Sequence, residues 1–115
     1  MGDFNNSHPG GGDGSIIYNV TTKVELSIAE EWLTWLKDEH IPDLIKTDCF
    51  THAVILHLME VGDAEGSTYA VQYHAKSKAL YNRYIEKYAD GMRKKATDKW
   101  GNKFIAFRTV MQVVS

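Results

Sequence analysis

The chain has 115 residues, of which 43% are apolar and 24% charged, and its formal net charge is −2. That length suits one domain with its own core, and the near-neutral balance gives no electrostatic reason to expect a nucleic-acid partner. No run reaches the roughly 18 consecutive apolar residues of a membrane span, no basic-then-apolar signal segment is visible, and the single cysteine, Cys49, allows no intrachain disulfide and suits a reducing, cytoplasmic location.

In chain order, residues 1–14 read MGDFNNSHPGGGDG. They offer almost nothing to bury against their chain entropy, so they are expected to form a disordered, added leader, with His8 outside any site. Residues 15–115 are expected to form a single domain. SIIYNVTTKVEL is rich in β-branched residues and predicts a strand over about Ile16 to Val24. In the SIAE that follows, Ser27 is placed to cap a helix while Glu30 reaches back to it. Ile28, Ala29, Trp32, Leu33, Trp35 and Leu36 then recur at helical spacing, opposite Glu30, Glu31, Thr34, Lys37 and Asp38. Pro42 biases Ile41 away from helix, so this helix is expected to stop near Glu39 or His40, with PDLIK able to start another short turn.

CFTHAVILHLMEV predicts a long second strand, in which Cys49 reads as a small buried residue rather than a nucleophile. GDAEG supplies turn residues, and STYAVQYHA is the third strand, paired with the second as a hairpin with a loop. Ser77 is placed to cap a second helix carrying Leu80, Tyr81, Tyr84, Tyr88, Met92, Ala96 and Trp100 on one stripe. Gly91 is expected to bend or divide it, and Gly101 to close it. KFIAFRTVMQVV is the fourth strand.

The order β-α-β-β-α-β points to an α+β, ferredoxin-like sandwich: a four-stranded antiparallel sheet with two helices on one face. A sheet face that meets water should alternate apolar with polar residues. Strand four instead sets Phe104, Ala106, Arg108 and Val110 against Ile105, Phe107, Thr109 and Met111, and strand two is similar. The helices cover one apolar face. A second copy is the expected cover for the other, giving a homodimer through the sheet faces that buries on the order of 1,600 Å² or more.

IIYNVT, EEWLTWLKDEHIPDLI, TDCFTHA, TYAVQYHA and WGNKFIAFRTVMQVV together resemble a family of short bacterial proteins known as a domain of unknown function. That family is itself similar to the dimeric α/β-barrel superfamily. The resemblance spans about Ile16 to Val114. It implies a dimeric α/β barrel and no assigned activity, because the superfamily ranges over antibiotic-biosynthesis-type monooxygenases, haem-degrading enzymes, lactone isomerases, stress-response dimers and ligand-sensing domains. It also implies a Met where Ser15 stands and a Gly where Asp48 stands.

Barrels of this type hold pockets between helices and sheet or within the dimer. Trp32, Trp35, Tyr73, Tyr84 and Phe107 are the candidate ligand-binding wall, suited to a small apolar or aromatic molecule. The same spacing is what any amphipathic helix needs for its core. His40, which titrates near neutral pH, is the candidate acid or base. Its bland alternative is a hydrogen bond to the last carbonyls of its own helix. Arg108, a permanent cation within an apolar strand, is the second candidate catalytic residue. It would stabilise an anion or enolate, or simply pair with Glu25, Glu39 or Asp43. His52, His57 and His74 lie in no metal-binding motif, and no metal is expected. Asn19, Trp32 or Trp35, and His74 match the residue types of haem-degrading relatives without their motif, so no cofactor is expected. The expected function is a homodimer binding a small ligand. The rivals are a cofactor-independent monooxygenase- or isomerase-like enzyme using His40, and a purely structural or partner-binding dimer.

Overall fold

The structure, a computed structural model, describes residues 14–62 and 64–115. The expected leader therefore lies, but for Gly14, outside the described residues. Four strands, β1 (Ile16–Glu25), β2 (His52–His57), β3 (Gly66–Ala75) and β4 (Phe104–Gln112), form one antiparallel sheet in the order β2-β3-β1-β4. The helices are α1 (Ala29–Trp35), α2 (Ile41–Ile45), α3 (Lys78–Lys87) and α4 (Ala89–Trp100).

The register decides which side chains share a face. Val20 lies opposite Val71 on β3 and Arg108 on β4, and Ile55 lies opposite Val71 on β2. Because side chains alternate along a strand, one face carries Tyr18, Val20, Thr22, Val71, Tyr73, Phe104, Ala106 and Arg108. That face meets the helices: Trp32 stacks on Tyr69 with ring centroids 5.7 Å apart, and Tyr84 packs 5.6 Å from Tyr18. The other face carries Val54 and Leu56 of β2 and Ile105, Phe107 and Met111 of β4, all exposed, Phe107 to 67%.

Several expectations need correction. Pro42 does not end the first helix. It has no N–H, and its ring would collide with the carbonyl four residues back. The chain accommodates it by widening one turn: Leu36–His40 is π-helical, with the Ile41 N–H bonded to the Leu36 carbonyl, and α2 follows with Pro42 in its first turn. Ser27 forms no cap. Leu26–Ile28 is a 3₁₀ turn that passes directly into α1, whose start has no side-chain cap.

The second strand is shorter than expected. Cys49 and Phe50 are buried ahead of it, with Phe50 set among the rings of Tyr18, Tyr73 and Tyr84 rather than in the ladder. Met59 and Val61, beyond its end, are exposed. The long helical segment divides at Tyr88, not at Gly91. The Tyr88 backbone (φ −127°, ψ −26°) leaves the helical region while the bond from the Met92 N–H to the Tyr88 carbonyl persists at 3.0 Å, and Tyr84 and Ala89 are buried on either side. Ser77 does cap α3, accepting from the Leu80 N–H at 3.2 Å, and Gly101 closes α4 with φ +62°.

Candidate functional site

His40 sits in the last residue of the π turn. An α-helix would rotate it further round the axis, and the extra residue in that turn is what aims its ring inward. It does not bond the helix's own carbonyls. The imidazole lies flat against the Trp35 indole, ring centroids 4.5 Å apart with planes at 22°, and Trp100 meets the same indole edge-on at 5.9 Å. Nδ1 of His40 is buried with no hydrogen-bond partner. Burial is the main reason its pKa falls to about 4; the Asp43 carboxylate opposes the shift, and Lys95 and Arg108 add to it. At neutral pH this imidazole is uncharged, with an unsatisfied nitrogen.

His40 lines a cavity between helices and sheet. Its volume is about 50 Å³, and Trp32, Trp35, His40, Tyr73, Tyr84 and Arg108 all line it. The sequence candidates thus converge, apart from Phe107, which lies on the opposite sheet face. Arg108 forms no ion pair or hydrogen bond among the described residues. Of its expected partners, Asp43 instead pairs with Lys95 at 3.4 Å. Arg108 is exposed on an edge strand, so it remains solvated and needs no buried counter-charge.

Arg93 completes the site and was not legible in the chain, where RKK reads as a solvated helix end. It follows Met92 on α4, so its stem runs along the edge of the apolar stripe. Its Nη2 donates to the Tyr18 hydroxyl at 3.3 Å, and its Nε is buried without a partner. Burial also pushes the Tyr73 and Tyr84 hydroxyls well above the usual phenol range, so both keep their protons. The cavity wall includes no carboxylate.

The cavity is small. On a measure where one water needs roughly 10–15 Å³ it holds a few water-sized groups, against roughly 300 Å³ or more for a drug-sized ligand. On the open sheet face, His52 stacks on His74 at 4.2 Å, while His57 stacks on Tyr69 on the helix side. Among the described residues no three His, Cys, Asp or Glu side chains gather as a metal site, and no helix is long and apolar enough to cross a membrane.

Residues 15–114 match the family described as Domain of unknown function (DUF4286). No curated protein matches the chain. The fold is similar to that of a dimeric ferredoxin-like protein from an uncultured marine organism, at 13% identity and TM-score 0.69, covering 88% of this chain and 96% of that one. It is also similar to a Bacteroides thetaiotaomicron protein of unknown function named as a candidate oxidoreductase, at 11% identity and TM-score 0.63, covering 87% and 98%. A third similar structure is a Bacillus cereus protein named as a candidate antibiotic-biosynthesis monooxygenase, at 14% identity and TM-score 0.61, covering 89% and 95%. At these identities the likeness establishes a ferredoxin-like fold.

Proposed function

The chain belongs to this family of unknown function, and we propose that it is a homodimeric α/β barrel that binds a small organic molecule in the cavity between helices and sheet. In this reading both helical layers cover one sheet face and a second copy covers the other. The exposed Val54, Leu56, Ile105, Phe107 and Met111 support that arrangement, since contiguous apolar surface of this kind marks an interface. The uncultured marine organism's similar protein is itself named as dimeric. The observation that carries the ligand reading is the orphaned Nδ1 of His40. A buried polar atom without a partner costs about 1–3 kcal/mol, and a ligand atom in the cavity would relieve that cost. A thermal-shift screen on wild type and His40→Ala tests it. Molecules that stabilise the wild type should stabilise the variant less. Equal shifts for every hit would remove His40 from the binding site.

A second reading is favoured by the same ring's neutrality. An uncharged imidazole that shares a cavity with two arginines can take a proton from a carbon next to a carbonyl, while the cations stabilise the resulting enolate. Isomerase-like or cofactor-independent oxygenase-like chemistry would follow, with His40 as base and Arg108 as the anion's partner. The Bacillus cereus neighbour's name is in keeping with this. Turnover by wild type of a carbonyl compound found in the screen, abolished in His40→Gln with binding retained, would select this reading. A chain in which no small molecule binds at all would leave a structural or partner-binding dimer.

A further inference from the structure

The cavity is unusual in its balance of donors and acceptors. The chain as a whole is acidic, at −2. Yet the cavity lining contains two arginines and no carboxylate. Arg93 presents a buried Nε–H with no partner. Arg108 lines the cavity while remaining exposed, so it stands where the cavity meets solvent. The Tyr18 hydroxyl, having accepted from Arg93, keeps its own proton for another acceptor. In the tautomer protonated at Nδ1, His40 adds a further unpaired donor. Two guanidinium groups border a space of about 50 Å³ whose lining supplies hydroxyls but no carboxylate, so the site lacks a compact anionic acceptor of a few atoms.

We infer that the ligand of this cavity carries a carboxylate or a similarly compact anionic group, received between Arg93 and Arg108, with the rest of the molecule extending out past Arg108. The inference rests on the small-molecule reading of the cavity given above. Guanidinium groups suit this task because their donors match the two oxygens of a carboxylate and they stay charged at every working pH. The small volume assigns the cavity to the head group alone. The aromatic walls of Trp35 and Tyr84 then exclude water around the ion pair, which strengthens it.

The test uses the full chain and three probes of one shape: benzoate, benzamide and benzylamine. Binding is followed by the NMR signals of the Arg93 Nε–H and the Trp35 indole N–H, at low and high salt. Benzoate should move both signals, bind at least about tenfold more tightly than benzamide, and weaken with salt. Benzylamine should not bind. Arg108→Gln, on an exposed edge strand where folding is not at risk, should lose about tenfold for benzoate and little for benzamide, with Arg108→Lys intermediate. If benzamide binds as tightly as benzoate, and His40→Ala weakens both, the cavity takes a ligand but the anion inference falls. If Arg93→Gln and Arg108→Gln both bind benzoate as tightly as wild type, the assignment to these residues is overturned. If no probe moves either signal, the anion inference and the small-molecule reading fall together.

Discussion

The His40 imidazole is stacked on the Trp35 indole at 4.5 Å, five residues apart in sequence. In a regular α-helix, residues three and four apart share a face and residues five apart do not. The π turn at Leu36–His40 changes that, and Pro42 is the reason for the turn. A proline read as a helix stop thus sets the aromatic contact that holds the candidate base.

The first consequence is a pH dependence. The folded chain holds His40 at about 4, below its ordinary 6.5. Between those values the unfolded chain binds a proton that the folded chain refuses, so stability rises with pH across that window and falls as the solution is acidified through it. The loss from pH 7 to below 4 should be about 3 kcal/mol. Urea unfolding of wild type and His40→Gln over this range measures it. The variant should show the shallower dependence, and parallel curves would mean that His40 is not buried as described.

Trp35 carries both the His40 stack and the contact with Trp100, and it is 8% exposed. Trp35→Ala should cost about 3–5 kcal/mol. Denaturant midpoints give the value, and a loss under about 1 kcal/mol would assign Trp35 to the surface instead.

Phe107 tests the dimer. It is 67% exposed and points away from the helices, so placing a charge there costs the isolated fold little. Phe107→Glu should weaken self-association by roughly 100-fold, the weight of a central aromatic contact. Light scattering at micromolar concentration should report twice the chain mass of 13.0 kDa for wild type and a falling mass for the variant. Wild type at the mass of a single chain would sink the homodimer itself.

Asp48 has a left-handed backbone, φ +63°, just past the end of α2, where its N–H bonds the Ile45 carbonyl at 3.0 Å. Only glycine adopts that conformation without steric cost. Asp48→Gly should therefore raise stability by about 0.5 kcal/mol, the relief of strain being partly offset by a freer unfolded chain. A thermal melt decides the sign, and a clear loss would show that the Asp48 side chain contributes a contact of its own.

Much of the fold was legible because it depends on short-range pattern. β-Branched and aromatic composition predicted a strand over about Ile16 to Val24 and another in KFIAFRTVMQVV, where the structure has Ile16–Glu25 and Phe104–Gln112, and the cap at Ser77 and the glycine at 101 bounded the second helical segment. What misled was also local. Cys49 and Phe50 are β-prone, but the surrounding rings of Tyr18, Tyr73 and Tyr84 take Phe50 out of the ladder. Ser27 and Glu30 have capping-box spacing, but the 3₁₀ turn already occupies that stretch. Gly91 invites a break that the backbone makes at Tyr88.

The candidate site divides along the same line. Residue chemistry by itself singled out His40, Arg108 and the aromatic wall, because a titratable ring beside tryptophans and a cation in an apolar strand are conspicuous wherever they occur. Strand register decided that Arg108 joins His40 while Phe107, one residue earlier, faces away, since adjacent residues on a strand point to opposite sides. Folding decided that Arg93 meets Tyr18 across 75 positions of chain. No periodicity encodes a contact of that range. It follows only from seating α4 on β1, and that packing turns one residue of a basic run, Arg93, into part of a cavity wall while Lys94 and Lys95 stay exposed.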